Sequence, residues 1–115
     1  GGGFFHRLQN AFNIPCPYIF IECKNYGKDI ANPELDQMVG RLSPNRGKFG
    51  IIICRTIEDE KLFLRRCADS YKDGHGLIIP FTDKDIRTIL EKKKEGFAHY
   101  EDKILSEKSR IIMTK

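Results

Sequence analysis

"YIFIECKNYG", residues 18–27, is an apolar run that ends in an acid and a lysine ahead of a glycine turn. Its first four residues are aromatic or β-branched, and the run through Lys24 lies between Pro17 and Gly27, the composition of a strand between turn signals. Alternation along that strand sets Ile19, Ile21 and Cys23 on one face and Tyr18, Phe20, Glu22 and Lys24 on the other. An apolar strand therefore ends by placing an acid and an ammonium two residues apart on one side.

Downstream, "ANPELDQMVGRLS" supplies Asn32 as a cap, Pro33 for a first turn, and Leu35, Met38, Val39 and Leu42 at helical spacing. Glu34, Gln37 and Arg41 form the opposite stripe, and the basic turn "SPNRGKFG" stops the helix. "FGIIICR" is short, continuously apolar and β-branched, as in a strand covered on both faces of a sheet. Thr56 with Asp59 or Glu60 opens a second helix to about Lys72, with the stripe Leu62, Phe63, Cys67 and Tyr71, closed by Asp73-Gly74-His75-Gly76. "LIIPF" follows as a strand whose Pro80 argues for an edge. Thr82 and Asp85 then form a capping box ahead of Ile86, Ile89 and Leu90.

The order β-α-β-α-β-α predicts right-handed parallel crossovers and an α/β layer fold. Residues 18–95 are expected to hold the α/β core. Residues 96–115 are expected to form a charged, helical C-terminal tail in which "RIIMTK" could also be a strand. Residues 1–17, opening on three glycines, read as a linker or the remnant of a preceding hairpin, so the N-terminal part of the core is expected to be missing.

The 115 residues, 40% hydrophobic, suit one domain. Twenty Lys and Arg against 16 Asp and Glu give a formal charge of +4, which tolerates a polyanionic partner without demanding one. The four cysteines show no C-x-x-C pair and two lie in apolar runs, which argues against zinc and disulfides and for free thiols in a reducing cytoplasm. No stretch approaches the roughly 20 apolar residues that span a bilayer, so a soluble, cytoplasmic chain is expected.

Glu22 and Lys24 lie roughly 6–7 Å apart along a strand rising ~3.3 Å per residue, close enough to address one site. A carboxylate can hold a hard cation such as Mg²⁺, and the Cys23 carbonyl between them can add an oxygen. A lysine beside that cation can orient water or offset charge on a phosphate. Taken alone, an E-x-K triplet is more often an exposed ion pair at a strand end.

The wider pattern narrows the choice. From residue 18 to about 90, the apolar strand ending in Glu22-Cys23-Lys24 and an aromatic, the helix with its glutamine, the Gly-Ile-Ile-Ile strand and "DGHGLIIPFTDKDIRTIL" together resemble the PD-(D/E)XK nuclease superfamily, closest to its Mrr-like branch. The resemblance implies a restriction-endonuclease-like mixed sheet flanked by helices. It implies a Mg²⁺- or Mn²⁺-dependent endonuclease domain of a larger prokaryotic restriction or defence protein, with DNA as partner, further domains for targeting, and a homodimer to cut two strands. Glu22 would be a metal ligand with the Cys23 carbonyl, Lys24 the catalytic lysine, and Gln37 the helix glutamine facing the site. Arg41 stands where the Mrr-like pattern often has a tyrosine.

One departure is larger. Such nucleases take a further acid, usually Asp, from the strand before the E-x-K strand, and residues 1–21 contain no Asp or Glu. The acid-bearing strand was cut away, or comes from another chain, or the acid has moved to Glu34 or Asp36; truncation fits the triple glycine and would leave this polypeptide with the nuclease fold and little activity. The alternative is a non-catalytic nuclease-like module that binds nucleic acid or a protein. Arg41, Arg46 and Lys48 are candidate nucleic-acid contacts, the latter two on a flexible loop expected beside the metal site, with plain solubility as the competing reading.

Overall fold

A computed structural model describes residues 3–16, 20–24, 32–57 and 59–115, with residues 22–24 and 32–34 as backbone alone. The described chain is α/β, with five helices and a three-stranded parallel sheet. The strands are β1 (Phe20–Lys24), β2 (Phe49–Cys54) and β3 (Leu77–Thr82), in the order β1-β2-β3. Residues 18 and 19 of the expected first strand lie outside the described residues. All strand pairing is parallel, so the antiparallel strand that a mixed sheet needs is not among the described residues.

β2 is the middle strand, and its near-continuous burial explains its unbroken apolar sequence. Pro80 sits in β3, paired only on the β2 side, where a missing N–H is tolerated. The helix α2 (Asn32–Arg41) buries Leu35 and Met38, and Leu42 follows it into the core. A Cβ at Gly50 would come within 2.7 Å of the Met38 Sδ, so α2 packs directly on the face of the sheet that Gly50 shares with Ile52 and Cys54. The other face is closed by α1 (Phe4–Asn10), whose Phe4 and Phe5 rings meet Phe49 edge-on at 5.5 and 5.6 Å.

The helix α3 (Glu60–Lys72) packs against β3 and α2, burying Phe63, Cys67 and Ala68. Its cap is Asp59, whose carboxylate accepts the Leu62 N–H at 3.1 Å, while Thr56 lies outside the helix. The helix α4 (Asp83–Lys94) starts at the expected capping box: the Asp85 carboxylate accepts the Thr82 N–H at 2.9 Å and the Thr82 hydroxyl at 3.2 Å. Lys108 of α5 (Tyr100–Met113) also reaches that carboxylate, at 3.1 Å.

Both ends of the chain differ from the sequence reading. The segment expected to be linker or hairpin remnant forms α1, because Phe4 and Leu8 recur four residues apart and are both buried. The expected charged tail is helical through Met113, yet Ile104, Leu105 and Ile112 belong to the core and α5 touches α1, α3, α4 and β3. An Arg7 guanidinium N–H donates to the Ser106 hydroxyl at 2.6 Å, joining the two terminal helices.

The turn into β3 depends on Gly76, whose φ is +129°. A Cβ there would stand 2.6 Å from Leu42 Cδ1 and 2.9 Å from the Lys48 carbonyl oxygen. Gly74, at φ +78°, has nothing within 4 Å of such a Cβ. Gly76→Ala is expected to lose about 2–4 kcal/mol, from backbone strain plus overpacking. Gly74→Ala should lose only about 1–2 kcal/mol, from the left-handed backbone alone. Urea denaturation of the two variants checks the order; equal losses would mean that contact with the Lys48 carbonyl does not constrain the turn.

Candidate functional site

In register, Glu22 pairs with Ile52 and Lys24 with Cys54, so positions 22 and 24 fall on the α2-covered side of the sheet. Cys23 pairs with Ile53 on the opposite parity, together with Ile21, which is 56% exposed. Lys24 ends β1, so the pair stands in the carboxyl-terminal half of a parallel strand. Open α/β sheets bind ligands outside the carboxyl ends of their strands.

Other charged groups gather at that end. Arg55 follows β2, and its carbonyl accepts the Asp83 N–H at 3.2 Å, tying the start of α4 to the end of β2. Asp83, Arg87, Ile53 and Ile86 line a shallow cavity of about 400 Å³ there. Ile53 has the opposite parity to Glu22 and Lys24, which assigns this cavity to the other face of the sheet.

The remaining predicted residues are spread apart. In a parallel crossover a helix runs back from the carboxyl end of one strand to the amino end of the next. Gln37 and Arg41 are both exposed on α2, and Arg41 lies one turn further from Lys24. Asp36 is also exposed and lines a groove with Arg66, Asp69, Ser70, Asp73 and His75, which ties it to the late part of α3 and the turn into β3. That placement argues against Asp36 as a relocated ligand for Glu22; the side chain of Glu34 lies outside the described residues.

Arg46 and Lys48 precede β2 and stand at the amino end of the sheet, away from Lys24. Their loop is fastened rather than free. Ser43 and Gly47 exchange backbone hydrogen bonds at 2.9 and 2.7 Å, the Lys48 N–H donates to the Pro15 carbonyl, and the Lys48 ammonium donates to the Gly74 carbonyl at 3.1 Å. Sequence order alone carried this signal, since every loop that enters a strand of a parallel sheet reaches its amino end.

Mg²⁺ seeks hard oxygen ligands in near-octahedral array. A carboxylate at position 22 and the Cys23 carbonyl match in kind but fall short in number. Among the described residues no group of three or more His, Cys, Asp or Glu side chains is placed to hold a metal ion. The described thiols offer no alternative nucleophile: Cys16, Cys54 and Cys67 are all buried, and Cys54 Sγ–H points to the Phe81 carbonyl at 3.6 Å. Burial pushes the Cys67 thiol from 9.0 up to about 12, and the nearby Lys108 charge offsets only part of that rise.

No family model, curated protein or solved structure matches the chain. Among the described residues, no helix is long and apolar enough to cross a membrane.

The raised thiol has a measurable consequence. Because its folded pKa lies above the unfolded value, the protonated thiol adds stability that is full below about pH 9 and is lost as pH rises toward 12. Within that window the loss approaches about 1.4 kcal/mol per pH unit. Cys67→Ala should be less stable at neutral pH from its cavity, yet show a shallower decline between pH 9 and 11 in urea titrations. Parallel declines for the two proteins would contradict a buried, protonated Cys67.

Proposed function

We propose that the chain is the core of a metal-dependent DNA endonuclease domain of the PD-(D/E)XK type, with a restriction-endonuclease-like fold, serving within a larger restriction or defence protein. The observation that carries this reading is the placement of positions 22 and 24 on one parity, in the carboxyl-terminal half of a parallel strand, on the face that α2 covers.

In this reading Glu22 and the Cys23 carbonyl would hold Mg²⁺ or Mn²⁺, with a further carboxylate supplied from outside the described residues. When bound, the cation polarises the scissile phosphate and lowers the pKa of water. Lys24 would contribute a positive charge two residues away, orienting the attacking water and offsetting the charge that develops on the phosphate. Gln37, on the helix that leaves this end of the sheet, supports the substrate or the water by hydrogen bonding. Two copies would be needed to cut both strands.

The lack of any Asp or Glu in residues 1–21 favours a second reading, a nuclease-like module that binds nucleic acid without cutting it. Plasmid cleavage with Mg²⁺ or Mn²⁺, and with EDTA as control, separates the two. The nuclease reading expects metal-dependent nicking that falls roughly 100-fold or more in Glu22→Ala and in Lys24→Ala while the fold is retained. Cleavage that survives in both variants would sink the site. Salt-sensitive DNA retention without cleavage, unchanged by either substitution, would establish the binding module.

A further inference from the structure

A cavity of about 550 Å³ lies at the opposite end of the sheet, and the nuclease reading makes no use of it. It forms where the chain leaving α1, the loop before β2 and the turn between α3 and β3 converge. Its volume is that of a small-molecule site. Among the described residues no acidic side chain lines it, whereas Lys48 and Lys72 both do. The Lys48 ammonium spends one donor on the Gly74 carbonyl and keeps two others, held in position by that bond.

The rest of the lining is mainly apolar and carries two aromatic rings. Phe12 is 50% exposed, so a ring face is open to a ligand, and Tyr71 is half-buried. Between α1 and the core, Asn13 takes a positive φ of 55° and sets an exposed amide, both donor and acceptor, at the rim. Cations, ring faces and an amide are what a phosphorylated aromatic heterocycle requires.

We propose that this cavity binds a nucleotide unit: the base stacks on Phe12 and Tyr71, the Asn13 amide meets the base edge, and Lys48 and Lys72 take the phosphate. The site is distinct from positions 22 and 24 and stands whether or not the chain cleaves DNA. The same chemistry is offered by a free nucleotide and by one nucleotide of a single strand.

Calorimetric titration of the full chain distinguishes these sources, using AMP, a thymidine pentanucleotide, and ribose 5-phosphate as the probe without a base. Saturable binding of AMP is expected if free nucleotides are the ligand, and of the pentanucleotide alone if a strand is. In either case Lys72→Ala and Phe12→Ser, at exposed positions and with unchanged melting temperature, should each weaken binding tenfold or more. The proposal is overturned if neither ligand saturates the protein or if both variants keep full affinity. Ribose 5-phosphate binding as tightly as the nucleotide would overturn it too, by reducing the cavity to an anion site.

Discussion

The contact between Met38 and the bare backbone of Gly50 sets the geometry of the described fold. Met38 is fully buried and occupies the space that any side chain at position 50 would fill, which lets α2 lie directly on the sheet. The same strand carries Phe49 into the two rings of α1 on the reverse side and pairs with β1 and β3 along its edges. With both faces and both edges engaged, β2 fixes the register of β1, and that register assigns positions 22 and 24 to the α2 side. Interiors packed at crystal-like density transmit such constraints, because a neighbour cannot shift without opening a void or a clash.

Parallel pairing then divides the molecule by chemistry. The carboxyl end gathers position 24, Arg55 and the acidic start of α4. The amino end gathers Arg46, Lys48 and the close of α3, with Lys72 at its last turn. Basic residues that the sequence invites one to pool into a single phosphate-binding surface belong to opposite ends of a strand. Two sites for the polar parts of ligands are more consistent with this layout than one extended cleft.

Legibility in the sequence followed the strength of local signals. β2 was readable from its unbroken apolar run, and α4 from Thr82 and Asp85, because a capping box is a local device whose partners lie three residues apart. α1 was not readable: seven residues are too few for helical periodicity to declare itself, and what holds them is tertiary packing of Phe4 and Leu8. The adjacent pair Ile111-Ile112 reads equally as strand or helix, and the backbone there is the last turn of α5, with Ile112 buried and Ile111 exposed. At the site, the shared parity of Glu22 and Lys24 was visible in the alternation. The grouping of Phe12, Asn13, Tyr71 and Lys72 was not, since it joins segments some sixty residues apart through folding alone.

Paramagnetic broadening by Mn²⁺ in amide NMR spectra tests the proposed cation site at positions 22–24, at the carboxyl end of β1. Substoichiometric Mn²⁺ should broaden the amides of residues 22–24 and of their partners Ile52–Cys54 first, and leave Lys48, Gly76 and Leu77 at the amino end sharp. Broadening that starts at the amino end, or in the groove lined by Asp36, Asp69 and Asp73, would contradict the account.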